Sequence, residues 1–256
     1  MMKKIVIQIY EVQDPAEAQA LIALGVDHVG SVIVSENEWK ISAVKDTIRN
    51  VKGAGAKSSL IPLFNHPDSV FRTLEYYLPD MVHFCEALVD QMGDEQNCMH
   101  LIRLQEQVKK RFPDILIMRS IPIVQQGSLS PVDTLEISRE FEAVSDFFLT
   151  DTLLVKKGGT QLDRQPVEGF VGITGRTCDW EIAAKLVAES PIPVILAGGI
   201  SPQNVTDAIQ SVKPAGVDSC TQTNMQGQNG RMIRFSKDLE KVKAFVQAVR
   251  SAEKII

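Results

Sequence analysis

One pattern constrains this chain more than any other. Short runs of apolar, β-branched residues alternate with stretches of helical periodicity from one end to the other. The runs read as strands at Lys4–Tyr10, His28–Val34, Ser59–Phe64, Met81–Cys85, Ile115–Ser120, Asp146–Thr150, Val194–Ala197 and Gly216–Ser219. Several are apolar without a break, as in Ile115-Leu116-Ile117-Met118. A strand wetted on one face alternates polar with apolar, whereas a strand of a parallel sheet is covered on both faces and does not.

The intervening stretches carry helix signals. Ala16, Ala20, Leu21 and Leu24 share one face, and Gly25 follows as a C-terminal cap. Asp179 is placed to cap a helix over Trp180–Glu189, and Ser201-Pro202 to open one bearing Val205, Ala208, Ile209 and Val212. The last helix is read at about Lys237–Val249. Eight strand–helix alternations in 256 residues predict an α/β fold, a (β/α)8 TIM barrel, with residues 1–256 as a single domain. A doubly wound open sheet is the alternative, but it calls for a glycine-rich turn after an early strand. The first strand runs instead into Tyr10-Glu11-Val12-Gln13-Asp14-Pro15.

Composition narrows the function classes. A net charge of -5 argues against a nucleic-acid partner, which demands a basic face. The densest basic run, Lys109-Lys110-Arg111, closes a helical stretch, where cations complement the carbonyl-rich end. Cys85, Cys98, Cys178 and Cys220 lack the short spacings of a zinc site, and His28, His66, His83 and His100 are dispersed, so neither a disulfide framework nor a metal is expected. No apolar stretch approaches the ~20 residues that span a bilayer. These features predict a soluble, cytoplasmic protein with no cofactor and no membrane partner, and they leave a homodimer open.

Two segments carry chemistry. In Val194-Ile195-Leu196-Ala197-Gly198-Gly199-Ile200-Ser201, a buried strand ends in paired glycines just before a helix. Glycine lets the backbone approach an anion closely, and the N–H groups of a helix start favour negative charge. By strand count this is the seventh, where barrels commonly hold phosphate. A tight turn with glycines for steric reasons alone is the plain alternative. The second segment, Gly172 to Trp180, spaces Gly172 and Gly175 around one cation, Arg176, and matches neither a P-loop nor a dinucleotide fingerprint. It closes the long irregular stretch Leu153–Arg176, a candidate active-site cover.

These segments, together with Gln8-Ile9-Tyr10, Glu17-Ala18, Gly25 to Gly30 and Val217-Asp218-Ser219, resemble the phosphoribosylanthranilate isomerase family of tryptophan synthesis over most of the chain. The resemblance implies an Amadori rearrangement, in which an aminoaldose phosphate becomes an aminoketose phosphate. A general acid opens the sugar ring and a general base removes the C2 proton. Asp151 matches the family's acid, for which a raised pKa is useful. Gly175, Gly198, Gly199 and Thr221 fall among the phosphate-binding positions, and Asp218 is retained on the eighth strand.

The departures are specific. The family's basic cysteine ends strand one, where this chain has Tyr10 followed by Glu11. Tyr10 or Glu11 would have to replace it, although tyrosine with its pKa near 10 is a poor base. An arginine expected beyond strand two falls at Trp39, beside Lys40, and a phosphate-side glycine becomes Gln222. His83 and Glu86 flank the end of strand four and Arg119 ends strand five. Arg119 is a candidate partner for a substrate anion, its alternative being a salt bridge in the rim, and His83 is a candidate binding residue or a packed one. Cys85, two residues from His83, does not make a dyad with it. Arg231 is a further candidate for an anion or simply a loop residue. The reading is therefore an isomerase, or related lyase, with an altered base. The alternatives are a barrel that binds a phosphorylated metabolite without converting it, or a structural protein whose anion site Gln222 blocks.

Overall fold

A computed structural model describes residues 4–89, 98–128, 132–156, 161–228 and 230–255. Strands β1 (Val6–Ile9), β2 (His28–Ile33), β3 (Lys57–Pro62), β4 (Met81–Phe84), β5 (Leu116–Val124), β6 (Phe147–Leu153), β7 (Val194–Leu196) and β8 (Gly216–Ser219) form a closed barrel in sequence order. All neighbours run parallel, and β8 closes on β1 through Val6↔Gly216 to Ile9↔Ser219. Around it lie α1 (Pro15–Ala23), α2 (Ser42–Gly53), α3 (Pro67–Tyr77), α4 (Met99–Arg111), α5 (Thr134–Phe141), α6 (Trp180–Glu189), α7 (Val205–Val212) and α8 (Leu239–Ala252). A (β/α)8 barrel is thus the fold, as the alternation predicts. An antiparallel hairpin of β9 (Asn224–Gln226) and β10 (Met232–Lys237) enters between β8 and α8, where the sequence reads as loop.

Side chains of alternate residues separate two cores, as the two-residue period of a strand dictates. Tyr10, Val32, Ile61, Met118, Leu149 and Ile195 fill the barrel. Ile7, Ile9, Leu21, Phe141, Phe148 and Phe245 pack between the strands and the helices. Gly30 belongs to this arrangement, because a Cβ there would overlap the Tyr10 ring.

Helix starts follow local chemistry. Asp14 accepts from Ala16 N and Glu17 N, both at 2.9 Å, Asp179 accepts from Glu181 N, and Asp238 from Glu240 N. A second set of aspartates ties strands together at the opposite end of the barrel from the candidate site. Asp27 accepts from Ile7 N at 3.0 Å, Asp80 from Ser58 N at 2.9 Å and Asp146 from Ile117 N at 2.7 Å. Burial alone would raise Asp27, but hydrogen bonds from Lys4, Ile7 and Arg250 hold it below the usual range. The bottom carboxylates are therefore structural.

Candidate active site

At the carboxyl end of β7 the chain turns through Gly198 (φ +88) and Gly199 (φ +61), left-handed conformations that suit glycine. A Cβ at Gly199 would lie 2.6 Å from the Arg176 carbonyl carbon. The turn therefore lies directly against the second glycine segment. The N–H groups of Gly175, Gly198 and Gly199 have no hydrogen-bond partner among the described residues. They face a polar chamber with about 350 Å³ of open space, lined also by Thr174, Thr221, Asp151 and Asp218. Converging backbone amides of this kind suit an anion. The expected role of Ser201 is corrected here. Helix α7 starts only at Val205, and Ser201 N donates to Asn204 Oδ1 at 2.8 Å, while Asn204 Nδ2 donates to Gly199 O at 3.1 Å. The open amides are those of the glycines, not of the helix. Gln222 Nε2 donates to Gly175 O at 3.0 Å, which ties it to the rim and leaves the chamber open.

A second, apolar chamber adjoins the first, with about 530 Å³ of open space walled by Val32, Ile61, Leu149, Phe170 and Val171. Part of that wall comes from the stretch after β6. Val171 N donates to Cys85 O at 2.9 Å and Ala87 N to Gly169 O at 3.0 Å, which lays Gly169 to Val171 along the segment after β4. The stretch expected as a cover thus supplies chamber wall from Val167 to Ile173, and its residues 157–160 lie outside the described residues. Ile173, a β-branched residue at φ +60, lines both chambers. Such a conformation is strained and persists where surroundings impose it.

Asp151 and Asp218 also belong to both chambers. Asp151 lies within β6, rather than just beyond it, and its Oδ1 accepts from Thr152 N at 2.9 Å. Burial lifts it to about 7. Asp218 is buried with Oδ1 unpartnered among the described residues, and burial, then the charge of Asp151, lift it to about 8. Two carboxyls whose proton loss falls near neutrality can hold one proton between them, one acting as acid and the other as base.

Tyr10 points into the apolar chamber within a hydrogen-bonded row. Its hydroxyl lies 2.6 Å from Ser59 Oγ and 2.9 Å from His83 Nδ1, and His83 Nε2 lies 2.8 Å from Ser120 Oγ. Burial pushes the phenol well above its ordinary value and pulls His83 down to about 3. Both are neutral in this site, so the expectation of Tyr10 as base is corrected: it can donate a hydrogen bond but cannot take up a proton near neutrality. Glu11 is corrected too. At φ +62 its side chain turns out of both chambers to Arg234, whose Nε donates to Oε1 at 2.6 Å. Arg119 is the third correction. Its position in β5 faces the helices, where it meets Glu86 at 2.5 Å and Gln105 at 2.7 Å and lies over Phe141. A salt bridge, with Glu86 as partner, is the alternative that holds, but it is buried between strand and helices rather than set in the rim.

Sequence reasoning overlooked Ile173 and Cys220 as wall residues, and Ser59 and Ser120 as the hydroxyls that bond Tyr10 and His83. The parity of the strands could have found the serines, since each stands at an inward position beside Tyr10 or His83. Among the described residues no group of three or more His, Cys, Asp or Glu could hold a metal ion. No helix among them is long and apolar enough to cross a membrane.

Comparison with known proteins gives consistent matches. The family model "N-(5'phosphoribosyl)anthranilate (PRA) isomerase" matches residues 107–248. An N-(5'-phosphoribosyl)anthranilate isomerase of Methanothrix thermoacetophila is 29% identical over 96% of this chain and 99% of its own. One from Methanocella arvoryzae is 29% identical over 56% of this chain, a match spanning about half of that relative, 54%. A phosphoribosyl anthranilate isomerase solved with reduced 1-(o-carboxyphenylamino)-1-deoxyribulose 5-phosphate superimposes with a TM-score of 0.64 at 15% identity, over 96% of this chain and 99% of that one.

Proposed function

The chain belongs to the N-(5'-phosphoribosyl)anthranilate isomerase family, and from that premise we propose that it converts an N-substituted aminoaldose phosphate into the aminoketose phosphate. The supporting observation is the position of Asp151 and Asp218 where the polar and apolar chambers meet. A phosphate on the glycine amides and a nitrogen substituent in the apolar chamber would lay the sugar across both carboxyls.

In this reading the pair carries one proton, which rests mainly on Asp218. The reacting form is the minor one with that proton on Asp151, which gives it to the ring oxygen as the C1–O bond opens, leaving a protonated imine at C1. Asp218, ionised, takes the proton from C2 to form an enolamine. Loss of the C2 hydroxyl proton and protonation at C1 complete the ketose. Asp218 thus takes the role that a base at the end of β1 would fill. Tyr10, a neutral donor, would hold a substrate oxygen or the substituent. Removing a general acid or base typically forfeits about 10²–10⁴-fold. Within the same reading the protein works without nucleic acid or membrane in a reducing, cytoplasmic setting where Cys85, Cys98, Cys178 and Cys220 stay free thiols. It acts as a monomer or homodimer.

Incubation with N-aryl 5-phosphoribosylamines in D2O, followed by NMR, tests the reaction. The aminoketose is expected with the protein and lost with Asp151→Asn and Asp218→Asn. The second reading, a binder without turnover, rests on Tyr10 standing at the base position. A bound and unchanged ligand would favour it.

A further inference from the structure

We propose that the apolar chamber selects an uncharged aromatic or aliphatic substituent on the sugar nitrogen and rejects an aryl group that carries a carboxylate. The inference rests on the proposed reaction only in taking this chamber as the seat of that substituent.

Among the described residues no lysine or arginine lines the chamber. Its one ring that could become cationic is His83, which stays neutral with both nitrogens engaged by Tyr10 and Ser120. The nearby cations are committed elsewhere. Arg119 faces the helices with Glu86, Arg234 holds Glu11, and Lys237 Nζ donates to Cys220 O at 3.0 Å. Beyond β2, where a cation could reach in, Trp39 instead meets the edge of Tyr76, with centroids 5.5 Å apart. Lys40 lies over the Trp39 ring at 5.0 Å, and Tyr77 Oη donates to Trp39 O at 2.6 Å. That loop is fixed against α3.

Besides neutral His83, the polar side chains that face the chamber are Asp151, Asp218, Tyr10, Cys85 and Cys220. Each is neutral or negative. A ligand carboxylate would lose its water, meet no cationic side chain in the described wall and add to the charge of the aspartate pair, with Lys237 acting only from behind Cys220. An uncharged ring would bury its faces against Val32, Ile61, Leu149 and Phe170 at no such cost. Selectivity of this kind comes from an unfavourable term against the wrong ligand rather than a new contact with the right one.

Two non-isomerisable probes test this, the 5-phosphorylated 1-amino-1-deoxypentitols bearing N-phenyl or N-(2-carboxyphenyl). They differ by one carboxylate. Calorimetric titration is expected to show the phenyl probe binding at least tenfold more tightly. Equal or tighter binding of the carboxyphenyl probe, or no binding of either, overturns the inference. Turnover of the matching ribosylamines separates this from the reaction itself. Phenyl preference without turnover of either ribosylamine removes the isomerase and keeps the chamber's selectivity. Turnover of both with carboxyphenyl preferred does the reverse. Leu63→Arg, on the half-buried rim of the chamber, is expected to narrow or invert the preference. A preference unchanged by that arginine contradicts a missing cation as its cause.

Discussion

Asp151 on β6 and Asp218 on β8 share the junction of two chambers, and the charge of the first raises the proton affinity of the second. The same fold uses Asp27 and Asp80 at the other end of the barrel, with their affinities lowered by donors. Environment alone separates the carboxyls held ionised from those whose proton affinity is raised.

That pair should cost stability. Both groups keep protons in the folded state that the unfolded chain releases above about pH 4, so ionising them opposes folding, and stability falls from about pH 4 until both are ionised above about 8. Asp218→Asn is expected to raise stability at pH 8 by about 1–3 kcal/mol, with little gain at pH 4, while activity collapses. Thermal melts at the two pH values check this. A variant less stable at pH 8 than the parent would contradict the raised affinity.

Tyr10→Phe separates a base from a donor. The variant leaves His83 Nδ1 and Ser59 Oγ without the phenol, so a loss of about 1–3 kcal/mol in stability is expected. Activity should fall less than the 10²-fold that loss of a general base brings. Denaturant titration and kcat measured together decide it, and loss of all turnover in a folded variant would restore Tyr10 as base.

Gly199→Ala addresses the anion site. An added Cβ meets the Arg176 backbone at 2.6 Å and fixes an unfavourable φ, so the turn must shift. Phosphate affinity should weaken by about tenfold or more, roughly the 1.4 kcal/mol of one strained residue. Titration with inorganic phosphate measures it, and unchanged affinity would move the anion elsewhere.

Arg119→Ala should destabilise by about 3–5 kcal/mol, because Glu86 is left buried without its partner. Ligand affinity in the folded fraction should not change. Weaker phosphate binding in that fraction would bring Arg119 back to the site.

The barrel was legible because its signal is periodic: buried strands read as unbroken apolar runs, and β8 is seen at its predicted bounds, Gly216–Ser219. β3 runs Lys57–Pro62 rather than Ser59–Phe64, since ladder pairing with β2 and not hydrophobicity sets its ends. The hairpin β9–β10 was missed because its strands are short, largely exposed or half-buried, and mix polar with apolar residues. Gly198, Gly199, Gly175 and Thr221 line one chamber, and a glycine-rich turn leaves a local mark in the sequence. Arg119, Glu11 and Ser201 were misplaced because strand parity, a left-handed backbone and a competing Asn204 side chain are relations in space, which spacing along the chain does not reveal.

The most direct test is the pH dependence of kcat/KM for an N-aryl phosphoribosylamine. One proton shared by Asp151 and Asp218 predicts a narrow bell, rising as the first carboxyl ionises near pH 7 and falling as the second ionises near pH 8. A rate that stays level from pH 6 to 9, or a bell that survives intact in Asp218→Asn, would contradict it.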